Sequence, residues 1–211
     1  MSAQPTMTPQ DLNTTSALDE ETARAELYGL LAALFYAPPS ADLLAQLRVA
    51  PTEAPAAGGF LEEPWRVLVG AARQGADADI QAEFNSLFGG VGKPEVMLFG
   101  SHYLSGFLND KPLARLRTDL AAMGLERDES MHETEDHVAY VCEVMRYLIA
   151  GEDLGICNLS SQKQFFNDHI RPWIEQLFDA IESHPNIQIY RQVSFLTRSF
   201  FQIEGQAFDM I

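Results

Sequence analysis

Apolar residues recur along most of the chain at steps of three and four positions, which is the period of helices that bury one face. The stripe is clearest over residues 23–34 and 166–181. The pattern and its breaks predict helices near residues 19–37, 40–47, 62–73, 77–88, 101–108, 112–124, 133–150, 160–182 and 189–203. Alternating strand patterns and internal repeats are not found. The predicted fold class is therefore all-α, a single compact multi-helix bundle.

The first 18 residues differ in composition from the rest of the chain. Residues 1–18 are rich in Ser, Thr, Gln and Pro, which predicts a disordered tail before one helical domain at residues 19–211. This tail has no Lys or Arg and no apolar run, so it does not fit a secretory or transit signal. No segment reaches the ~20 apolar residues of a membrane span. We therefore expect a cytoplasmic protein without stable membrane insertion.

The charge balance narrows the class of partner. Asp and Glu number 30 against 14 Lys and Arg, which gives a formal net charge of -16 over 211 residues. Such a surface repels nucleic acid and anionic lipid, so no nucleic-acid partner is expected. It favours cationic partners, although an acidic surface also serves solubility alone.

The densest polar run lies at residues 132–137, at the predicted start of a long helix. Helical spacing would place Glu133, Asp136 and His137 on one face. Acidic side chains there would also complement the helix dipole. A zinc-protease motif is excluded, because the position four residues after His132 is Asp136 and not a second histidine.

Other candidate chemistry is weaker. The glycines of residues 89–92 do not form a phosphate loop, because Leu87 and Pro94 stand where a glycine and a Ser or Thr are needed. Cys142 and Cys157 are too few for a disulfide framework or a zinc site. The sequence therefore predicts no catalytic residue, no bound metal and no cofactor.

Four segments together resemble the TorD/DmsD/NarJ family of redox-enzyme maturation chaperones, and most of all its TorD/DmsD branch. Residues 84–90 look like its aromatic-x-x-Leu-Phe-x-Gly segment, and residues 100–104 like its Ser-x-aromatic-Leu helix start. Residues 133–137 resemble its Glu-Pro-x-Asp-His signature, and residues 166–173 its Phe-x-x-His-hydrophobic-x-Pro-Trp helix. Thr134 replaces the usual proline, which leaves the local pocket shape open.

The resemblance implies a TorD-like all-helical fold and a chaperone for the maturation of a molybdoenzyme, not an enzyme. The partner would be the twin-arginine signal peptide of the molybdoenzyme catalytic subunit. Binding would delay export until the molybdopterin cofactor is inserted, and the chaperone itself would keep no cofactor. The client enzyme, guanine-nucleotide binding and the choice between monomer and dimer stay open.

The resemblance also suggests a peptide-binding site. Its residues would be Glu133, Asp136, His137, Leu87, Phe88, Gly100, Ser101 and Tyr103. The two acidic residues would pair with guanidinium groups, and the histidine would orient them or donate a hydrogen bond. The apolar members would line a groove for the peptide, although apolar residues at helical spacing are also typical of a core.

Two alternatives remain open at this point. One is a NarJ-like assembly factor for a membrane-associated molybdoenzyme, which recognises an N-terminal segment without an export role. The other is a metal-dependent hydrolase built on Glu133, Asp136 and His137. The assembly factor would bind a peptide with Arg-Arg and its Lys-Lys form equally well, whereas the export chaperone would prefer Arg-Arg. The hydrolase would contain bound metal after purification and would lose its activity on chelation.

Overall fold

A computed structural model describes residues 9–52, 59–89, 94–128 and 131–211. These residues form ten α-helices, and their only β pairing is one antiparallel bridge between Phe99 and His137. The helices are α1 Pro9–Tyr36, α2 Ala41–Val49, α3 Glu62–Gln74, α4 Asp77–Phe88, α5 Gly100–Ser105, α6 Lys111–Ala122, α7 Val138–Ala150, α8 Leu159–Phe165, α9 Ile174–Ser183 and α10 Ile189–Asp209. The all-α fold class expected from the sequence is confirmed.

The core lies where the helices pack against one another. Helix α1 packs along α7, and α10 packs against α3 and α9. At one end of this core lies an aromatic cluster formed by Phe35, Phe84, Phe88 and Tyr190, with neighbouring ring centroids 5.1 to 6.3 Å apart. The Tyr190 hydroxyl donates to the Leu34 carbonyl at 2.8 Å, which satisfies the polar tip of this buried side chain.

A buried ion pair joins α1 to α10. Both carboxylate oxygens of Glu204 accept from the Arg24 guanidinium at 2.8 Å, and the Tyr28 hydroxyl donates to the same carboxylate at 3.1 Å. Glu204 is 2% exposed. A carboxylate at this depth needs these partners, because an unpaired buried charge is strongly destabilising.

The start of α10 is held by a residue from α4. The Glu83 carboxylate accepts from the backbone N–H groups of Gln188, Ile189 and Tyr190 at 2.9, 3.2 and 2.9 Å. These donors belong to the first turn of a helix, where no intrahelical acceptor is available. Gln188 itself supplies no side-chain cap, so Glu83 takes the role of the missing local cap.

Several helix boundaries differ from the sequence expectation: α5 ends at Ser105 and not near residue 108, α7 begins at Val138 and not near residue 133, and α10 continues to Asp209 and not only to residue 203. Helix α1 begins at Pro9 and not near Asp19. Proline is favoured in the first turn of a helix, and the polar residues that follow Pro9 do not prevent helix formation. Residues 1–8, the rest of the expected tail, lie outside the described residues, and the division of the chain at residue 18 stays a prediction.

The helix expected at residues 160–182 is interrupted. Helix α8 continues into a π-helical segment, Phe166–Ile170, and a turn separates that segment from α9. Arg171 donates its backbone N–H to the Phe166 carbonyl at 2.9 Å, five positions back. Pro172 has no N–H to continue the hydrogen-bond ladder. Pro172 therefore explains the interruption, which the hydrophobic periodicity alone does not predict.

Candidate functional site

The residues before α7 form a turn and not its first helical turn. Asp136 is 4% exposed. One of its carboxylate oxygens accepts from the Thr134 hydroxyl at 2.7 Å, and the other accepts from the Ser101 backbone N–H at 2.8 Å. The expectation that Glu133, Asp136 and His137 share a helix face is therefore wrong, because α7 begins at Val138 and all three residues precede it.

Backbone contacts strengthen the same connection. The Gly100 N–H donates to the Asp136 carbonyl at 2.9 Å, and the Val138 N–H donates to the Leu98 carbonyl at 2.8 Å. We call residues 98–101 together with residues 134–138 the latch. The latch ties the start of α5 to the start of α7, so the Asp-His pair of the sequence signature has a structural role here.

His137 is the N-cap of α7. Its Nδ1 atom accepts from the Ala139 backbone N–H at 3.1 Å, and its ring packs edge-on against Phe99 with centroids 5.0 Å apart. Burial lowers the pKa of His137 from 6.5 to about 4, although the nearby Asp136 charge opposes this shift. The imidazole is therefore neutral at pH 7 and has one nitrogen already engaged.

The acidic residues beside Asp136 have different environments. Glu135 is buried and forms ion pairs with Arg117 at 2.8 Å and Arg127 at 3.8 Å. Glu133 is half-buried, and its backbone carbonyl accepts from Arg127 at 3.4 Å. The sequence pattern did not single out Glu135, because three acidic residues in five positions look alike without their partners.

An open groove of about 420 Å³ lies beside the latch, between α5, α6 and the π-helical segment. Its apolar walls come from Leu104, Pro112, Leu116, Pro172 and Trp173, and its polar residues are Ser101, Lys111, Arg115, Asp136, Asp168 and His169, with Gly100 at its edge. Three of the expected site residues, Gly100, Ser101 and Asp136, therefore line one groove.

Trp173 forms one wall of this groove, and its indole ring explains why residue 100 is a glycine. A Cβ atom on Gly100 would lie 2.9 Å from the indole nitrogen, so a larger residue does not fit without movement. That nitrogen donates to the His169 carbonyl at 2.6 Å. The Tyr103 ring stacks on Trp173 at 5.8 Å, and its hydroxyl donates to the Met97 carbonyl at 2.7 Å. Tyr103 therefore packs against the wall without lining the groove itself.

Leu87 and Phe88 lie elsewhere. Leu87 is 1% exposed and Phe88 is 9% exposed, and Phe88 belongs to the aromatic cluster. Neither residue lines the groove beside the latch. The structure gives both residues a place in the core, in line with the alternative that helical spacing allowed.

The side chain of Ser101, one of the polar residues of the groove, has no role in the contacts described so far. The residue is fully buried, and its Oγ has no hydrogen-bond partner among the described residues. Buried hydroxyl groups in native proteins usually have a partner, so this one calls for an explanation.

A polar group that the sequence pattern did not mark adjoins the groove: Asp119 lies outside the groove lining, in a neighbouring pocket that shares Asp168 and His169 with the groove. The Nε2 atom of His169 contacts the Asp119 carboxylate at 2.9 Å, and burial lowers the pKa of His169. Arg115 lies 3.9 Å from Asp119 and 3.3 Å from Asp168. His169 lies within the apolar stripe of residues 166–181, and the π-helical segment that carries it has no signature in the hydrophobic period.

The remaining candidate chemistry has little geometric support. Over the described ranges, no group of three or more His, Cys, Asp or Glu side chains is arranged to hold a metal ion. Burial raises the pKa of the Cys142 thiol, which disfavours the reactive thiolate. In the same part of the chain, no helix combines the length and the apolar character that a membrane span requires.

Comparisons with known proteins agree with this architecture. The family profile described as nitrate reductase delta subunit matches residues 56–179. Proteins named chaperone protein TorD are similar to this chain: one from Vibrio cholerae serotype O1 is 25% identical over 203 residues, which is 88% of this chain and 92% of the relative. Another, from Vibrio parahaemolyticus serotype O3:K6, is 24% identical over 141 residues, which is 63% of this chain and 66% of the relative.

A solved structure shares the fold. The crystal structure described as a redox enzyme maturation protein from Archaeoglobus fulgidus superposes with a TM-score of 0.54 and 18% identity, covering 86% of this chain and 93% of that one. The curated relatives are named as chaperones and not as enzymes. The profile match extends over more than half of the sequence, and the chain therefore belongs to the TorD/DmsD/NarJ family of chaperones for redox-enzyme maturation.

Proposed function

We propose that this chain is a cytoplasmic chaperone that binds the twin-arginine signal peptide of a molybdoenzyme catalytic subunit and delays its export until the molybdopterin cofactor is inserted. The single observation that carries the proposal is the groove beside the latch. It combines apolar walls with two carboxylates, Asp136 and Asp168, and a buried hydroxyl that lacks a partner among the described residues. A twin-arginine signal peptide offers the matching chemistry, because its arginines adjoin an apolar stretch.

The dimensions and composition of the groove support a peptide ligand. A volume of about 420 Å³ is enough for several side chains and too small for a folded domain. Leu104 is 43% exposed at its rim, so part of the apolar surface is available to a ligand. The formal net charge of -16 would speed the encounter with a basic segment at low salt.

The proposal is tested by isothermal titration of the full-length protein with twin-arginine signal peptides from molybdoenzymes, at low and moderate salt. We expect saturable binding at micromolar concentration or below, with weaker binding at higher salt. A peptide of the same composition in scrambled order is the matched control. Absence of saturable binding to every such peptide would contradict the proposal.

A NarJ-like assembly factor is a second candidate, favoured by the match to a profile described as nitrate reductase delta subunit. Such a factor would bind an N-terminal segment without requiring the arginine pair. Titration with the Lys-Lys form of the same peptide separates the two functions. Equal affinity for both forms would support the assembly factor, and a clear preference for Arg-Arg would support the export chaperone.

The hydrolase alternative has weak support from the geometry. A general base needs a free basic atom within reach of a substrate proton. Both oxygens of Asp136 accept hydrogen bonds inside the latch, and Nδ1 of His137 caps α7. Glu133 does not line the groove. These three residues therefore do not form an acid-base group directed at a bound substrate.

A further inference from the structure

Two carboxylates line the groove, and they differ in what they can bind. Asp136 is almost fully buried, and both its oxygens are used within the latch. Asp168, which comes from the π-helical segment, is 34% exposed. A ligand that carries a guanidinium group can therefore reach the Asp168 carboxylate, whereas contact with the Asp136 carboxylate would require the latch to break.

An arginine of the chain itself already lies beside Asp168. The Nη2 atom of Arg115 is 3.3 Å from Asp168, and its Nε atom is 3.9 Å from Asp119. Both distances are longer than the paired 2.7 Å contacts between Arg171 and Asp209 elsewhere on the surface. Arg115 is 64% exposed, so its ion pairs are screened by water and contribute little to stability. This contact is loose enough to be replaced.

The charges at this end of the groove do not balance. Asp119 and Asp168 bring two negative charges, and Arg115 brings one positive charge. His169 contacts Asp119 at 2.9 Å, but burial lowers its pKa, so the ring donates its Nε2–H as a neutral group. The other charged residues of the groove, Lys111 and Asp136, add one charge of each sign, so one negative charge remains uncompensated. A planar guanidinium with several donors fits two neighbouring carboxylates better than a point charge does.

The buried Ser101 hydroxyl points to the same ligand independently. Its Oγ has no partner among the described residues and lies in the wall of the same groove. A hydroxyl can donate to a carbonyl and accept from an N–H. Because Ser101 is fully buried, a peptide backbone in the groove reaches this hydroxyl only together with a small movement of α5. The Asp168 carboxylate, which is 34% exposed, is reached without such a movement.

We propose that Asp168, assisted by Asp119, is the arginine subsite of the groove, and that Arg115 occupies this subsite until an arginine of the bound peptide replaces it. The inference rests on the proposed function and assigns the recognition of arginine to residues other than Glu133 and Asp136. Arg115 then competes with the arginine of the peptide for Asp168. Removal of the Arg115 charge should therefore raise the affinity for the peptide, whereas removal of the Asp168 charge should lower it.

The test is a double-mutant cycle on the full-length protein. A fluorescein-labelled twin-arginine signal peptide and its form with both arginines replaced by glutamine are titrated into wild type, Asp168→Asn, Arg115→Gln and Asp179→Asn. Asp168→Asn should weaken binding of the arginine peptide by about tenfold or more and leave binding of the glutamine peptide unchanged. Arg115→Gln should tighten binding of the arginine peptide by about threefold.

The control variant is Asp179→Asn, because Asp179 also forms a surface ion pair, with Arg198, but lies on α9 away from the groove. It should bind both peptides like wild type. If wild type binds the arginine peptide and Asp168→Asn binds it equally well, or if Arg115→Gln weakens binding, the subsite is wrong and the proposed function stands. If wild type binds no arginine peptide, the subsite and the proposed function both fail.

Discussion

The latch makes a quantitative prediction about Asp136. Asp136→Ala removes the acceptor of the Thr134 hydroxyl and the acceptor of the Ser101 backbone N–H. Ser101 is fully buried, so water cannot replace the lost partner without movement of α5. The variant therefore loses two charge-assisted hydrogen bonds and leaves a buried donor unsatisfied.

The magnitude follows from these contacts. Hydrogen bonds to charged groups contribute about 1.5–3 kcal/mol each, and their effects overlap within one side chain. We expect Asp136→Ala to lower the free energy of unfolding by about 3 kcal/mol. For a domain of this size, that corresponds to a decrease in Tm of about 6–12 °C. Asp136→Asn keeps one acceptor and one donor in place, and its Tm should fall between those of wild type and the alanine variant.

Differential scanning calorimetry of the three proteins and of Glu133→Ala tests the reasoning. Glu133 is the matched control, because it lies in the same turn and, within the described ranges, no hydrogen bond or ion pair joins its carboxylate to α5. Its removal should leave Tm nearly unchanged. If Asp136→Ala and Glu133→Ala have Tm values within about 2 °C of each other, the latch does not hold α5 in the way that the contacts indicate.

Three further predictions follow from buried groups. Gly100→Ala places a methyl carbon 2.9 Å from an indole nitrogen, so the free energy of unfolding in urea should fall by about 1–3 kcal/mol; unchanged stability with unchanged tryptophan emission would contradict this. Burial lowers the pKa of His137 from 6.5 to about 4. As pH falls, this histidine is therefore protonated in the unfolded chain before it is protonated in the folded protein, and the free energy of unfolding decreases between pH 6.5 and pH 4. From pH 7 to pH 5 wild type should lose about 2 kcal/mol more than His137→Asn, which keeps a capping acceptor that does not titrate; equal losses in urea titrations would refute the burial argument. Arg24→Met leaves the buried Glu204 carboxylate without its cation and should lower the free energy of unfolding by about 3 kcal/mol, whereas the exposed Arg66→Met should leave the urea midpoint in place.

Much of the fold could be predicted because periodicity reports directly on burial. The bounds of α3 and α4 were expected within one or two residues, since both helices are amphipathic and end at glycines. The start of α7 was wrong because the acidic run before it suits the first turn of a helix. The side chains of Asp136 and His137 instead accept from backbone N–H groups, one of them 35 residues away. A single sequence does not show such a partner.

The site could be predicted only in part, for the same reason. The short segment around Gly100 and Ser101 was found because the resemblance pointed to it. Asp168 was missed, because a π-helical segment changes which residues face a groove and leaves no mark in the hydrophobic period. Phe88 was assigned two possible places, and the choice between core and groove depended on packing against Tyr190, about a hundred residues later.

The Glu83 cap of α10 limits how the chain can be divided. Its carboxylate serves three backbone N–H groups that lie 105 to 107 residues further along the sequence. A fragment that contains only α9 and α10 would carry every residue of that helix pair and still fray at Ile189, since the acceptor for its first turn is encoded in another part of the chain. Engineering that transplants or swaps this helical hairpin between relatives must therefore carry an acidic residue at the matching position of α4.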